Sequence, residues 1–258
     1  MFQLFHFLIY LFKAKDAHGI HPPFLFNLYK DVILKTSVSD KFLVIESLRK
    51  EMLRSTGTIE VLDYGAGSKV NKGPERKIAD IARSALTNPK YAALHYRLAS
   101  HFKPAVIVEL GTSLGINTLY LSMGNPDAKV YTFEGCPEIA ALAKSNFKKA
   151  KANNITIVEG TFEKTLENQL SYLSTVDYVF IDGHHDRQAT LAYFNIVLQH
   201  SNENTVIVLD DINWSPGMRA AWQEIKAKNK VKLAVDLYKW GIVFLSEKLT
   251  KQDFVLRF

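Results

Sequence analysis

The chain has one cysteine, Cys136, among its 258 residues. A single thiol excludes a disulfide framework and a multi-cysteine metal centre, and it makes a reducing, cytoplasmic location the expectation. Long apolar runs are missing too. The most hydrophobic stretch, residues 1–12, holds Phe2, Leu4, Phe5, Phe7, Leu8, Ile9, Leu11 and Phe12, whereas a bilayer-spanning helix needs about 20 residues. It also lacks the basic segment and small-residue cleavage site of a secretory leader. With Gln3 and His6 as its polar positions, it reads as a helix packed on the domain or on a second subunit. A homodimer through the N-terminal helices is the partner expectation, and membrane-surface contact is the less favoured alternative. The net charge is +6, but no long basic block carries it. The densest group, Lys144, Lys148, Lys149 and Lys151, falls on one expected helix and reads as a solvated face, so nucleic acid is not an expected partner.

What is present is an alternation of strands and helices. Apolar runs at 105–110, 129–134, 154–159, 176–182 and 204–210 are separated by helical patterns at 115–124, 137–152, 162–172, 187–200 and 215–228. Such alternation implies a parallel sheet with helices on both faces. The last two runs, 231–237 and 241–245, are joined only through Tyr238-Lys239-Trp240, too short for a crossover and suited to an antiparallel hairpin. The expected fold is therefore α/β: a doubly wound, mostly parallel, seven-stranded sheet. Residues 1–103 form an N-terminal helical extension that caps the site or mediates dimerisation, and residues 104–258 form the ligand-binding domain.

Within that domain, Val106-Ile107-Val108-Glu109-Leu110-Gly111-Thr112-Ser113-Leu114-Gly115 is a buried-type strand closed by a glycine turn, with the helical run Ile116–Leu121 directly after it. Such a turn lets a ligand's polar end rest on backbone N–H groups at a helix N-terminus. The spacing is E-x-G-x-x-x-G, not the G-x-G-x-x-G that cradles a pyrophosphate. A second acid, Glu134, ends the next strand 25 residues after Glu109 (134 − 109), where a carboxylate can accept from both hydroxyls of a ribose. This pattern resembles motif I of the class I S-adenosylmethionine (SAM) methyltransferases, which have a Rossmann-like fold. The resemblance implies a SAM site formed by Glu109, Gly111, Ser113, Gly115 and Asn117 around the turn, with Glu134 on the ribose. Thr161 and Phe162, after the third strand, fall where that family surrounds the adenine. A second glycine-rich stretch, Thr58–Ser68, looks similar, but a polar run and not an amphipathic helix follows it. It is read as a decoy for the cofactor turn or, alternatively, as a loop lining the acceptor side.

The fourth and fifth strands end in Asp182-Gly183-His184-His185 and Asp210-Asp211. Neighbouring strand tips would gather three carboxylates, whose mutual repulsion calls for a cation; hard oxygen ligands suit Mg²⁺ or another divalent ion. Asp182 followed 28 residues later (210 − 182) by an acidic pair resembles the metal site of the catechol- and caffeoyl-CoA-type O-methyltransferases and of those acting on macrolide sugars. That resemblance implies Asp182, Asp210 and Asp211 as metal ligands, although the catechol type usually has Asn where Asp211 stands. His185, three residues after Asp182, matches the base of the sugar type; the catechol type has Lys there. His184 stands where the catechol type stacks a Trp on the adenine, and Asp182 can instead serve the SAM side alone. Trp214, Met218, Trp222, Tyr238 and Trp240 either wall an acceptor pocket or belong to the core. The implied function is SAM-dependent O-methylation of a small hydroxylated acceptor, with Asp182 and His185 catalytic and a divalent cation assisting. A methyltransferase on RNA or protein, or a SAM-binding scaffold without turnover, are the alternatives. His21-Pro22-Pro23-Phe24 lacks the Asp or Asn of the loop that methylates base amino groups.

Overall fold

A computed structural model describes residues 1–35, 40–62 and 73–258; Asp63–Ser68 of the second glycine-rich stretch lies outside them. In chain order the helices and strands are α1 (Phe2–Lys13), α2 (Pro23–Leu28), α3 (Leu43–Arg54), β1 (Thr58–Glu60), β2 (Glu75–Lys77), α4 (Ile78–Ala85), α5 (Pro89–Phe102), β3 (Val106–Leu110), α6 (Ile116–Gly124), β4 (Lys129–Glu134), α7 (Pro137–Lys149), β5 (Ile155–Glu159), α8 (Phe162–Ser171), β6 (Val176–Ile181), α9 (Arg187–Gln199), β7 (Ser201–Leu209), α10 (Pro216–Ala227), β8 (Leu233–Asp236), β9 (Gly241–Phe244) and β10 (Gln252–Val255). They cluster into two compact units, residues 36–169 and residues 1–35 with 170–258.

In the 36–169 unit, β3, β4 and β5 run parallel, with Leu110 opposite Phe133 and Glu134 opposite Glu159. The β-branched run of β3 is buried at four of its five positions, as expected for a parallel strand covered on both faces. Crossover helix α6 is buried almost all round. Its last residue, Gly124, permits close approach to α5: a Cβ there would stand 2.6 Å from Ala99 Cβ. Phe42, Ile45 and Leu48 pack with Ala92, Ile116, Leu119, Tyr120, Ala143 and Phe147 into one core, so α3 and α5 share this unit's hydrophobic interior, whereas residues 1–35 cluster with the other unit. Arg49, buried among them, is held by Glu46 at 2.9 Å and donates to Thr87 O at 2.7 Å.

In the other unit, β6 and β7 are parallel, while β7–β9 and β8–β9 are antiparallel. The hairpin expected around Tyr238-Lys239-Trp240 is therefore formed. The seven expected strands are joined by an eighth, β10, which pairs parallel with β8. Its sequence Gln-Asp-Phe-Val is exposed at its first two positions and carries no apolar alternation to announce it. Helices α9 and α10 open on side-chain caps: Asp186 accepts from Ala189 N–H and Ser215 from Met218 N–H, satisfying donors that a helix start leaves unpaired.

Helix α1 belongs to this second unit. Tyr10 is its one fully buried residue; its hydroxyl donates to Leu256 O at 2.8 Å and accepts from Phe258 N–H at 3.0 Å. Leu4, Phe5, Leu8, Leu11 and Phe12 are exposed, Phe12 at 91%. No helix among the described residues is long and apolar enough to cross a membrane.

Candidate active site

The glycine turn after β3 is built by backbone geometry. Gly111 and Gly115 have φ of 107° and 76°, and Ser113 between them has φ of 48°, all in the left-handed region where a Cβ is penalised. At Gly115 packing adds a second demand, since a Cβ would lie 2.5 Å from Phe147 Cε1 on α7. The turn is tied to the tip of β4: Gly111 and Thr112 N–H both donate to Phe133 O at 3.1 and 3.0 Å. Glu134 completes the tie, Oε2 accepting from Ser113 N–H at 2.9 Å and Oε1 from Cys136 N–H at 3.0 Å. Burial pushes the Glu134 carboxyl above the ordinary carboxylate range, and the amides of Cys136, Ser113 and Gly135 oppose that rise.

Glu109 lies behind the turn with 0% exposure. Asn117 Nδ2 donates to its Oε1 at 2.8 Å; the hydroxyls of Thr118 and Thr132 donate to its Oε2, the latter at 2.6 Å. Burial raises its pKa to about 7 in spite of these three donors. Both oxygens are thus engaged inside the fold, and Glu109 joins β3, β4 and α6 at the root of the turn. Asn117, 8% exposed, leaves its Oδ1 without a hydrogen-bond partner among the described residues. At the tip of β5, Gly160 (φ 126°) donates N–H to Glu134 O at 2.9 Å. Thr161 and Phe162, both half-buried, follow; Thr161 O accepts from Lys164 and Thr165 N–H and opens α8.

The second unit gathers a different set at its strand tips. His185 Nε2 is 3.6 Å from Asp182 Oδ1, and its Nδ1 is 4.0 Å from Asp211 Oδ2. Asp210, 3% exposed, accepts Asp211 N–H on Oδ1 at 2.7 Å. Burial, then Asp182 and Asp211, push the Asp210 carboxyl well above the ordinary range. Lys239 Nζ lies 3.2 Å from Asp210 Oδ2 and 3.7 Å from Asp211 Oδ1. Burial alone would lower the Lys239 pKa, but Asp210, Asp211 and Asp182 outweigh it and hold the ammonium above its ordinary value. His184 does not join this set: its Nδ1 meets Tyr193 OH at 2.9 Å and its ring packs against that tyrosine at 5.7 Å.

A side-chain cation thus stands beside these carboxylates, and among the described residues no group of three or more His, Cys, Asp or Glu is arranged to hold a metal ion. Sequence reasoning missed Lys239. Its signal was the hairpin register, in which Leu209 faces Gly241 and so brings the residues before Gly241 alongside those after Leu209. Backbone strain marks the same place. Of the seven non-glycine residues with positive φ among those described, four sit here: His184, His185, Asp211 and Tyr238. Each such residue costs of order 1–3 kcal/mol and persists where surrounding structure enforces it, most often at functional sites. Met218, Trp222 and Trp240 are core residues, whereas Trp214 is 45% exposed and Tyr238 OH donates to Gln3 O at 2.9 Å.

This architecture is the class I, Rossmann-like methyltransferase fold. Residues 108–212 match the family Methyltransf_24, described as a methyltransferase domain. The chain is 29% identical over 118 residues to Rv1703c of Mycobacterium tuberculosis, which is named a probable O-methyltransferase; the match covers 42% of this chain, and the chain spans about half (50%) of that relative. Two solved structures share the fold. An O-methyltransferase from Bacillus cereus in complex with SAH is 20% identical, with a TM-score of 0.59 over 84% of this chain and 96% of its own. The SAH-bound Podospora anserina methyltransferase PaMTH1 is 15% identical, with a TM-score of 0.61 over 89% and 99%.

Proposed function

We propose that the chain is a SAM-dependent O-methyltransferase acting on a small hydroxylated acceptor, with His185 as general base and Asp182 as its orienting partner. The observation that carries this reading is the imidazole of His185 flanked by Asp182 and Asp211. An imidazole placed beside two carboxylates can accept the proton of an acceptor hydroxyl as a general base. The similarity to a relative named as an O-methyltransferase favours oxygen as the atom methylated.

SAM, when bound, supplies a methyl group on a sulfonium, an electrophile that needs a deprotonating nucleophile and correct alignment. The residues of the turn suit such a ligand. Asn117 Oδ1, without a partner among the described residues, can accept from the ammonium of its amino-acid tail. Glu134 retains lone pairs for ribose hydroxyls beyond the amides it accepts. We assign Thr161 and Phe162 to the adenine, and Glu109 positions the turn. The buried thiol of Cys136 is in keeping with a reducing, cytoplasmic setting. The exposed face of α1 supports a homodimer contact.

The test is methyl transfer from labelled SAM to a panel of small catechols, phenols and sugars, with wild type and His185→Ala side by side. Transfer to a hydroxyl that His185→Ala abolishes is the expected result. Binding of SAM with no transfer to any acceptor would leave a scaffold.

A further inference from the structure

We propose that the Lys239 ammonium is the built-in cation of the acidic strand-tip cluster, taking the place of the divalent metal that the sequence resemblance implies, so that this site works without one. The inference deepens the methyl-transfer reading and rests on it for its catalytic consequence, while the metal-binding consequence stands by itself.

Both oxygens of Asp210 are engaged, and both of Asp211 face a neighbouring Lys239 or His185. Asp210 uses Oδ1 for the Asp211 amide at 2.7 Å and Oδ2 for Lys239 Nζ at 3.2 Å. Asp211 turns Oδ1 toward Lys239 at 3.7 Å and Oδ2 toward His185 at 4.0 Å. A divalent ion on these oxygens would need the ammonium to leave, because the two cations would repel each other a few ångströms apart in a partly dry site.

Lys239 is also fixed in place by its own backbone. Its carbonyl accepts Ile212 N–H at 3.1 Å, and its N–H donates to Leu237 O at 2.9 Å. The preceding carbonyl of Tyr238 accepts from Asn213 Nδ2 at 2.6 Å, and Tyr238 N–H donates to Asp236 Oδ1 at 2.8 Å. The left-handed Tyr238, φ 68°, reverses the chain one residue earlier. The loops after β7 and β8 are therefore stitched together on both sides of the lysine. Its side chain emerges beside Asp210 and Asp211 by construction.

Lys239 acts through other residues, so it is a positioning residue. Its positive charge lies between Asp210 and Asp211 and offsets their mutual repulsion, which keeps Asp211 beside His185.

Mn²⁺ titration of the full-length protein, read by electron paramagnetic resonance, tests this independently of turnover. Wild type is expected to bind Mn²⁺ no more tightly than millimolar, and Lys239→Met to bind it about tenfold or more tightly, on the scale of changes beside metal sites. Lys239→Arg, which keeps the charge, is expected to behave as wild type. Micromolar Mn²⁺ binding by wild type that Asp210→Asn removes would overturn the proposal and needs no lysine variant to fold. If an acceptor is found, full activity in excess EDTA supports the proposal, and loss restored by Mg²⁺ overturns it. If none is found, the methyl-transfer reading has failed and the Mn²⁺ titration still decides.

Discussion

The Ser113 amide donates to Glu134 Oε2 across 2.9 Å, which makes the glycine turn after β3 and the acidic tip of β4 one rigid piece. Ser113 holds its left-handed φ of 48° in the turn between Gly111 and Gly115, where Glu134 pins its N–H. The hydrogen bond therefore sets the direction in which the N–H groups of the turn point, and the same carboxylate remains available to a ligand's hydroxyls.

Gly115→Ala tests that piece. The new Cβ would meet Phe147 Cε1 at 2.5 Å on a backbone with φ of 76°. A loss of about 2–4 kcal/mol in urea denaturation is expected, summing strain and overpacking. The turn would shift as well, so SAM affinity should fall with it.

Glu109 gives a pH signature. Its carboxyl is raised from 4.5 to about 7 by burial, so between those values the folded chain holds a proton that the unfolded chain has released. Its contribution is complete below pH 4.5 and is lost as pH rises to about 7, with an amplitude of about 3 kcal/mol. Glu109→Gln has no such group. The stability difference, wild type minus variant, should fall by about that amount between pH 4.5 and 8 and stay level above. Parallel stability curves for the two proteins would contradict the assignment.

His185→Ala should lower kcat by about 100- to 10,000-fold, the usual range for a general base, and leave SAM affinity unchanged. Urea midpoints of the two proteins should agree closely, because the His185 side chain is 32% exposed. A variant that keeps kcat but loses SAM binding would move His185 from the base role to the cofactor.

For α1, Leu8→Asp places a charge on a face where Leu4, Phe5, Leu11 and Phe12 are also exposed. Sedimentation should show a wild-type dimer and a monomeric variant with unchanged thermal stability. A monomeric wild type would remove the dimer contact.

How far the sequence revealed these features depended on how local each one is. Strands β3 and β6 were legible because parallel strands buried on both faces are continuous apolar runs, and Val106–Leu110 and Val176–Ile181 are almost nothing else. Their acidic ends were visible for the same reason, since Glu109 and Asp182 interrupt those runs abruptly. Strand β10 was not, because an edge strand of Gln252 and Asp253 has no buried face to leave a pattern. The inward use of Glu109 was also hidden: its partners Asn117, Thr118 and Thr132 come from two separate segments. The carboxylate cluster was legible as charge at two strand tips, yet its cation was not. Lys239 is one of 32 Lys and Arg residues, and only the register of Leu209 against Gly241 distinguishes it.

Calorimetric titration of SAM into wild type and Glu134→Ala tests the cofactor assignment most directly. Micromolar binding to wild type, weakened about tenfold or more in Glu134→Ala through loss of a charge-assisted hydrogen bond, is the expected result. No heat of binding with wild type, or equal affinity in the two proteins, would contradict the placement of SAM on the turn between β3 and β4.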